Sequence, residues 1–273
     1  MIPLVLGALA VEAISAHAYV SERNLAPATA TLRESLGQAK RLVSAVGADF
    51  GVVLDQAGER IYLVDEQARE IAVEQELLLF LSLLTSDGKK GKLAFPITVT
   101  SLVDRMVEGT ELEIERTPAS LAALTRAAAG DGVVFAGSVG GGFVFPDFLP
   151  AYDGIASLCK LLELLAPVER PLSQIVAELP RSTVVHRQLR CPWSRKGTVM
   201  RVLTERLKSR DLDLLDGIKV FEERGWAQIL PDPDAPLVHL YAEGATEEDA
   251  AQLEAEYLEL VESIIAGDDV SDQ

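Results

Sequence analysis

Residues 225–244 read GWAQILPDPDAPLVHLYAEG. Two apolar runs flank a compact Pro/Asp cluster, which is the pattern of two strands joined by a short loop. The text around this stretch extends the reading. TVVHRQLRC and GIKVFEE are further strands, and KGTVMRVLTERLK and EEDAAQLEAEYLELVESIIA carry apolar residues at helical spacing. Together they predict a small α+β domain: an antiparallel sheet with two helices on one face. The closing GDDVSDQ has too little apolar content to join it and reads as a disordered acidic tail.

Working back toward the N-terminus, strand alternates with helix. LRESLGQAKRLVSAVGA is a helix, followed by the strands DFGVVLD and RIYLVDE and the helix VEQELLLFLSLLTS. GKLAFPITVT is a strand, and SLVDRMVEG a helix with Ser101 as N-cap and Asp104 three residues on. ELEIERT, GVVFAGS and GFVFPDF are strands, with PASLAALTRAAAG and DGIASLCKLLELLA as helices. This order predicts an α/β architecture in which helices cover a mixed sheet. Pro171 and Pro180 bracket one further short helix, and the boundary between the two domains is placed there.

The net charge of −17 repels nucleic acid and anionic lipid, so neither is expected as a partner. Two cysteines, Cys159 and Cys191, make no disulfide framework and fit a reducing, cytoplasmic setting. Cys159 sits beside Leu158, Leu161 and Leu162 and reads as core. The three histidines show no metal-binding spacing, and no Ser/His/Asp set is arranged for nucleophilic catalysis. The opening MIPLVLGALAVEAISAHA lacks the basic residue of a secretory signal and is too short to span a bilayer. It reads as a helix followed by a buried strand, cut from within a domain.

Three stretches carry a resemblance: GADFGVVLDQAGERIYLVDE, GSVGGGFVFPDFLPAYDGI and DGIKVFEERGWAQILPDPDAPLVHLYAEG. In order and local text they resemble the metal loop, the sugar-recognition loop and the phosphate-gripping loop of the α-D-phosphohexomutases (the phosphomannomutase/phosphoglucomutase superfamily). The resemblance implies that residues 1–30 are the remnant of the family's second domain. Residues 31–172 would then be a third domain, 173–266 a fourth, and 267–273 the tail. CPWSRKGTVMR is most similar to the mutase-like extension of bacterial sugar-1-phosphate nucleotidyltransferases. The family moves a phosphoryl group between two hexose hydroxyls through a phosphoserine on its first domain, to which nothing in this chain corresponds.

Position by position, each loop departs from the family pattern. The metal loop implies three aspartates at alternate positions, whose oxygens converge on Mg²⁺. Here Asp55 and Arg60 keep their places, Ala57 holds the middle one and Glu59 the last. No cofactor is therefore expected, with Mg²⁺ the one to seek if activity survives. In the sugar loop, Ser138 stands at the family's Glu position and Gly140 at its Ser position, between Gly137 and Gly141. In the phosphate loop Leu230 replaces Arg, Pro231 is kept, and Asp232 and Asp234 stand where hydroxyls belong. Pro233 removes an amide donor. Carboxylates a few ångströms from a phosphate repel it by about 1 kcal/mol or more per charge pair.

Arg187, Arg190, Arg195 and Lys196 form a basic cluster that could serve as an anion patch, although such a run is more often a solvated face. Two functions follow. The first is a structural or regulatory phosphohexomutase-like module without turnover, serving a nucleotidyltransferase domain upstream in the same chain or on a partner subunit, with sugar phosphate as a further partner. The second is the C-terminal part of a Mg²⁺-dependent phosphomannomutase or phosphoglucomutase.

Overall fold

A computed structural model describes residues 2–17 and 28–267. The acidic stretch 268–273 lies outside the described residues. The chain forms two compact units, one of Met1–Leu93, Thr110–Leu112 and Ala128–Leu179, the other of Ala94–Gly109, Glu113–Ala127 and Pro180–Gln273.

The first unit begins with α1 (Ile2–Ala8). No strand follows within residues 9–17, contrary to the reading above. A strand needs a ladder partner, and Leu9 and Ile14 remain exposed instead. α2 (Ala28–Val46) packs on the antiparallel hairpin of β1 (Phe50–Leu54) and β2 (Ile61–Asp65). Leu36, Val43, Val53 and Val64 make the shared core of helix and hairpin. α3 (Val73–Ser86) carries an unbroken apolar run, so it is buried nearly all round rather than on one stripe. Its Phe80 lies 4.6 Å from Phe143 and 5.8 Å from Phe135, ring centre to ring centre.

Buried with that run is a carboxyl group. Glu76 accepts from the Leu63 amide at 2.6 Å through Oε1, while Oε2 has no hydrogen-bond partner. Burial pushes its pKa up to about 8.

β3 (Gly91–Pro96), β4 (Leu112–Thr117), β5 (Val133–Gly137) and β6 (Phe143–Val144) form a four-stranded sheet in the order β4-β3-β5-β6, with β6 antiparallel to β5. β6 is far shorter than GFVFPDF predicts. The chain turns at Phe145, whose carbonyl accepts from Phe148 and Leu149, and Pro146 has no amide to continue a ladder. α4 (Leu102–Val107) and α5 (Leu121–Ala128) follow β3 and β4 respectively. Ser101 does not cap α4 with its side chain. Its hydroxyl donates to Glu243 instead, at 2.8 Å. α6 (Gly154–Leu165) is capped by Asp153, which accepts from the amides of Ile155 and Ala156. Cys159 on this helix is half-buried rather than fully in the core. α7 (Leu172–Glu178) ends the first unit.

The second unit holds a five-stranded antiparallel sheet, in the order β7-β11-β10-β9-β8. Its strands are β7 (Thr183–Arg190), β8 (Asp211–Asp213), β9 (Ile218–Glu222), β10 (Gly225–Pro231) and β11 (Leu237–Gly244). Among the described residues, the edge strand β8 is the one element the sequence pattern did not show. α8 (Trp193–Leu207) and α9 (Glu247–Ala266) share one core with the sheet, built from Val199, Leu203, Leu253, Tyr257 and the strand residues Val220, Ile229, Leu240 and Ala242. Thr246 caps α9 by accepting from the Asp249 amide.

Strand alternation sends the other residues to the opposite face. There Trp226 pairs across the ladder with Glu243 on one side and Phe221 on the other, and Gln228 with Lys219 and Tyr241. Glu243 and Lys219 are 2% and 3% exposed, so each needs partners. Burial pushes the Glu243 carboxyl up, but donors at Ser101, Ser182 and Thr100 outweigh it and hold the pKa below the usual carboxylate range. Trp226 also donates to Glu243 through Nε1. Lys219 donates to the Ile97 carbonyl at 2.7 Å and lies 3.7 Å above the Trp226 ring. Burial, with Arg116 nearby, lowers its pKa to about 7.

Candidate functional site

The first candidate loop is the turn that joins β1 to β2. Asp55 Oδ1 accepts from the amides of Glu59 (2.8 Å) and Arg60 (3.2 Å), and the Gly58 amide donates to the Asp55 carbonyl at 3.1 Å. Gly58 has φ +72°, a conformation that a side chain at this position would strain. Asp55 therefore spends one carboxylate oxygen on shaping its own turn. Ala57 and Glu59 point into solvent, and Ala57 offers no donor to a metal. Among the described residues no group of three or more His, Cys, Asp or Glu is placed to hold a metal ion. The donors present thus amount to two carboxylates. That is the number with which Mg²⁺ is commonly held when waters and a substrate phosphate complete the shell.

The second loop follows β5. The backbone brings it against the first: Arg60 bridges Gly142, the Ile61 amide donates to the Gly141 carbonyl at 3.3 Å, and the Gly154 amide donates to the Gly58 carbonyl at 2.8 Å. Gly137 is buried, and a Cβ there would lie 2.6 Å from Leu77, so the glycine serves packing. Ser138 keeps its hydroxyl within 2.8 Å of the Tyr152 hydroxyl. Tyr152 lies flat against the backbone at Gly142, where a Cβ would meet its ring at 2.6 Å. Burial raises the Tyr152 pKa, against lowering by the Ser138 hydrogen bond and by Arg60. Tyr152 is a residue that sequence reasoning missed. Its only signal was an aromatic directly before the helix-capping Asp153.

The third loop, 231–236, belongs to the second unit, between β10 and β11. Its shape is held from within. Asp232 Oδ1 accepts from the amides of Asp234 and Ala235, both at 2.7 Å, and Oδ2 meets His239 Nε2 at 2.8 Å. The His239 hydrogen bond leads these contacts in lowering the Asp232 pKa to about 2. Lys196 donates to the carbonyls of Asp232 and Ala235. The loop amides that point inward are thus satisfied by a carboxylate of the same loop. Leu230, at the strand end, contributes no charge, and Asp234 and Pro233 are exposed. His239 in turn meets His186 (Nδ1 to Nε2, 2.9 Å), and the His186 ring stacks on Tyr241 with centres 4.2 Å apart and planes 6° from parallel.

The basic cluster does not converge on one patch. Arg187 pairs with Glu254 on α9, Arg195 donates to the carbonyls of Ile264 (2.7 Å) and Ile265 (3.2 Å), and Lys196 serves the loop. Arg190 is exposed on β7. Strand alternation separates Arg187 from Arg190, and the helix turn from β7 into α8 aims Arg195 and Lys196 at different backbones.

Residues 74–183 match the model of the phosphoglucomutase/phosphomannomutase α/β/α domain III. The chain is 29% identical over 261 residues to a probable phosphoglucosamine mutase of Methanopyrus kandleri, a match covering 95% of this chain and 58% of the relative. It is 27% identical over 261 residues to a phosphoglucomutase/phosphomannomutase of Thermococcus kodakarensis, covering 95% of this chain and 56% of that protein. The chain thus spans between half and two thirds of the length of these relatives. In fold it is similar to a phosphoglucomutase/phosphomannomutase family protein of Burkholderia thailandensis, with TM-score 0.80 and 19% identity, covering 97% of this chain and 58% of the other.

Proposed function

We propose that the chain belongs to the α-D-phosphohexomutase superfamily, supported by the domain III match and the similarity to mutases over 95% of the chain, and that it is the hexose-phosphate-binding C-terminal part of such a protein. In this reading residues 1–30 close a second domain, 31–172 form the third and 173–266 the fourth. The observation that carries the proposal is the junction of the first two loops. Residues 55–60 and 138–142 lie some eighty positions apart in sequence, yet Arg60 bridges Gly142 and the Gly154 amide donates to the Gly58 carbonyl. A carboxylate-bearing turn and a hydroxyl-bearing glycine loop thereby share one edge, which suits a sugar beside a weakly held Mg²⁺. Asp55 and Glu59 would hold the ion, which would neutralise phosphoryl oxygens. Ser138, with the amides around Gly140 and Gly141, would face the ring.

Calorimetric titration of the chain with glucose 1-phosphate and mannose 1-phosphate, with and without Mg²⁺, tests this. Binding in the micromolar range that weakens on chelation or in Asp55→Ala supports it. No heat with either sugar, in a folded preparation, removes it.

A second reading, a binding module without turnover, is favoured by the third loop, where Asp232 takes the amides that a phosphate would use. The relatives described above carry mutase names and lend no support to a nucleotidyltransferase neighbour. A coupled mutase assay in which the sugar binds but is not converted would favour the module.

A further inference from the structure

The sheet face of β7 and β11 turned away from the helices carries a chain of groups that the sugar-phosphate reading does not use. Asp232 Oδ2 meets His239 Nε2 at 2.8 Å, and His239 Nδ1 meets His186 Nε2 at 2.9 Å. The His186 ring stacks on its cross-strand partner Tyr241 with centres 4.2 Å apart. The protons in this chain can be counted. The Asp232 carboxylate only accepts, so His239 donates to it through Nε2. One proton then lies between His239 Nδ1 and His186 Nε2, donated by either ring. That arrangement survives with the pair neutral or carrying one positive charge. With both rings imidazolium, two N–H groups face each other without an acceptor, and two like charges stand side by side. His186 lies on β7, the edge strand of the sheet, which is laddered to β11.

We infer that Asp232, His239, His186 and Tyr241 form an acid-sensitive latch. With at most one charge on the two imidazoles it ties β7 to β11 and to the 231–236 loop; full protonation releases His186 and loosens β7, while Asp232 keeps His239. The latch stands independently of the hexose-phosphate reading. The other groups around the rings leave the proton count unchanged. Tyr241 stays a neutral phenol, its pKa raised by burial and by Asp232. Gln188 and Arg190 share the His186 face of β7, and Gln228 on β10 pairs with Tyr241. Glu243, next on that face of β11, is held by Ser101 and Trp226, and Asp234 on the loop is exposed. On the far face Arg187 is taken by Glu254 of α9, and Lys196 of α8 donates to the loop carbonyls. Partial burial, and His239 after it, lower the His186 pKa below the ordinary 6.5. A depressed base stabilises the fold above its unfolded value and loses that contribution as pH falls through the folded one, so the latch opens in mild acid.

The experiment is a magnetic-resonance pH titration of the full chain from neutral to mild acid. It follows the imidazole nitrogens and the amide protection factors, corrected for intrinsic exchange. His186 is expected to titrate below 6.5. The β7 amides bonded to β11 are expected to lose about tenfold of their protection between about pH 7 and 5, through one lost hydrogen bond and the repulsion of adjacent cations. The amides of Asp234 and Ala235, held by Asp232, are expected to stay protected over the same range. His186→Phe keeps a ring for Tyr241 and removes the titration, so β7 protection is expected to become flat with pH. Should that variant fail to fold, His239→Gln, which leaves His186 without a charged neighbour, is expected to move the His186 midpoint up toward 6.5. A His186 midpoint at or above 6.5 in the unaltered chain, or one unmoved by His239→Gln, would overturn the latch. So would unchanged β7 protection, the same acid response in His186→Phe, or loop amides opening together with β7.

Discussion

Asp232 shows how far one carboxylate can determine a loop. It bonds two amides and an imidazole, so its ionised form is tied to the folded conformation. Its pKa is lowered from the usual carboxylate range to about 2. A depressed acid stabilises the fold above its unfolded value and loses that contribution as pH falls through the folded one. The amides of Asp234 and Ala235 are therefore expected to stay protected from hydrogen exchange through mild acid and to open only as pH approaches about 2. In Asp232→Ala they are expected to exchange rapidly at neutral pH. Unchanged protection in the variant would show that the carboxylate does not hold the turn. Glu76 has the opposite sign. Its folded pKa of about 8 lies above the ordinary carboxylate value of 4.5, so its contribution is complete below 4.5 and lost as pH rises through 8. Glu76→Gln keeps the acceptor for the Leu63 amide and removes the titration. A gain on the order of 2 kcal/mol near pH 8 is expected in denaturant titration, with little change near pH 5.

At the scale of elements, α8 acts as a clamp between two backbones. Arg195 closes the C-terminal end of α9 through the carbonyls of Ile264 and Ile265, where a cation also opposes the helix dipole. Lys196, one residue on, ties down the loop between β10 and β11. Arg195→Ala is expected to cost about 0.5–1 kcal/mol. Lys196→Ala is expected to cost more, about 1.5–3 kcal/mol, because its two acceptors belong to a mostly buried charged donor. Chemical denaturation of both variants checks the order, and the reverse ranking would show that the loop tolerates the loss. The elements themselves were largely legible in the sequence, since apolar periodicity marked both domain sheets, their helices and the hairpin at residues 50–65. The partners of the polar residues were not. That Ser101 serves Glu243 rather than α4, or that Arg195 and Lys196 part company, depends on contacts across dozens of residues that local spacing does not encode. The first two loops were found by their text, but Tyr152 and His239 gained a role only through packing and strand register. The N-terminal strand was over-read because an apolar run is not evidence of a partner to pair with.

Across the whole molecule, the two units carry buried groups with opposed responses to alkali. Glu76 belongs to the first unit, and its ionisation weakens that unit as pH rises. Lys219 belongs to the second, and its pKa falls from 10.5 to about 7 on burial. A depressed base binds fewer protons when folded, so stability rises with pH between about 7 and 10.5. Calorimetric scans between neutral pH and about pH 9 are expected to show the first unit's transition moving down while the second's moves up or holds. Lys219→Met is expected to flatten the second response alone. Transitions moving in parallel would contradict the assignment.

The two tryptophans of the chain, Trp193 and Trp226, both lie in the second unit, and each has a lysine ammonium 3.7 Å from its ring centre. Intrinsic emission excited at the red edge will therefore follow that unit and be blind to melting of the other. The solvent-facing indole of Trp193, under Lys196, becomes a built-in optical reporter of the loop that the same lysine holds shut.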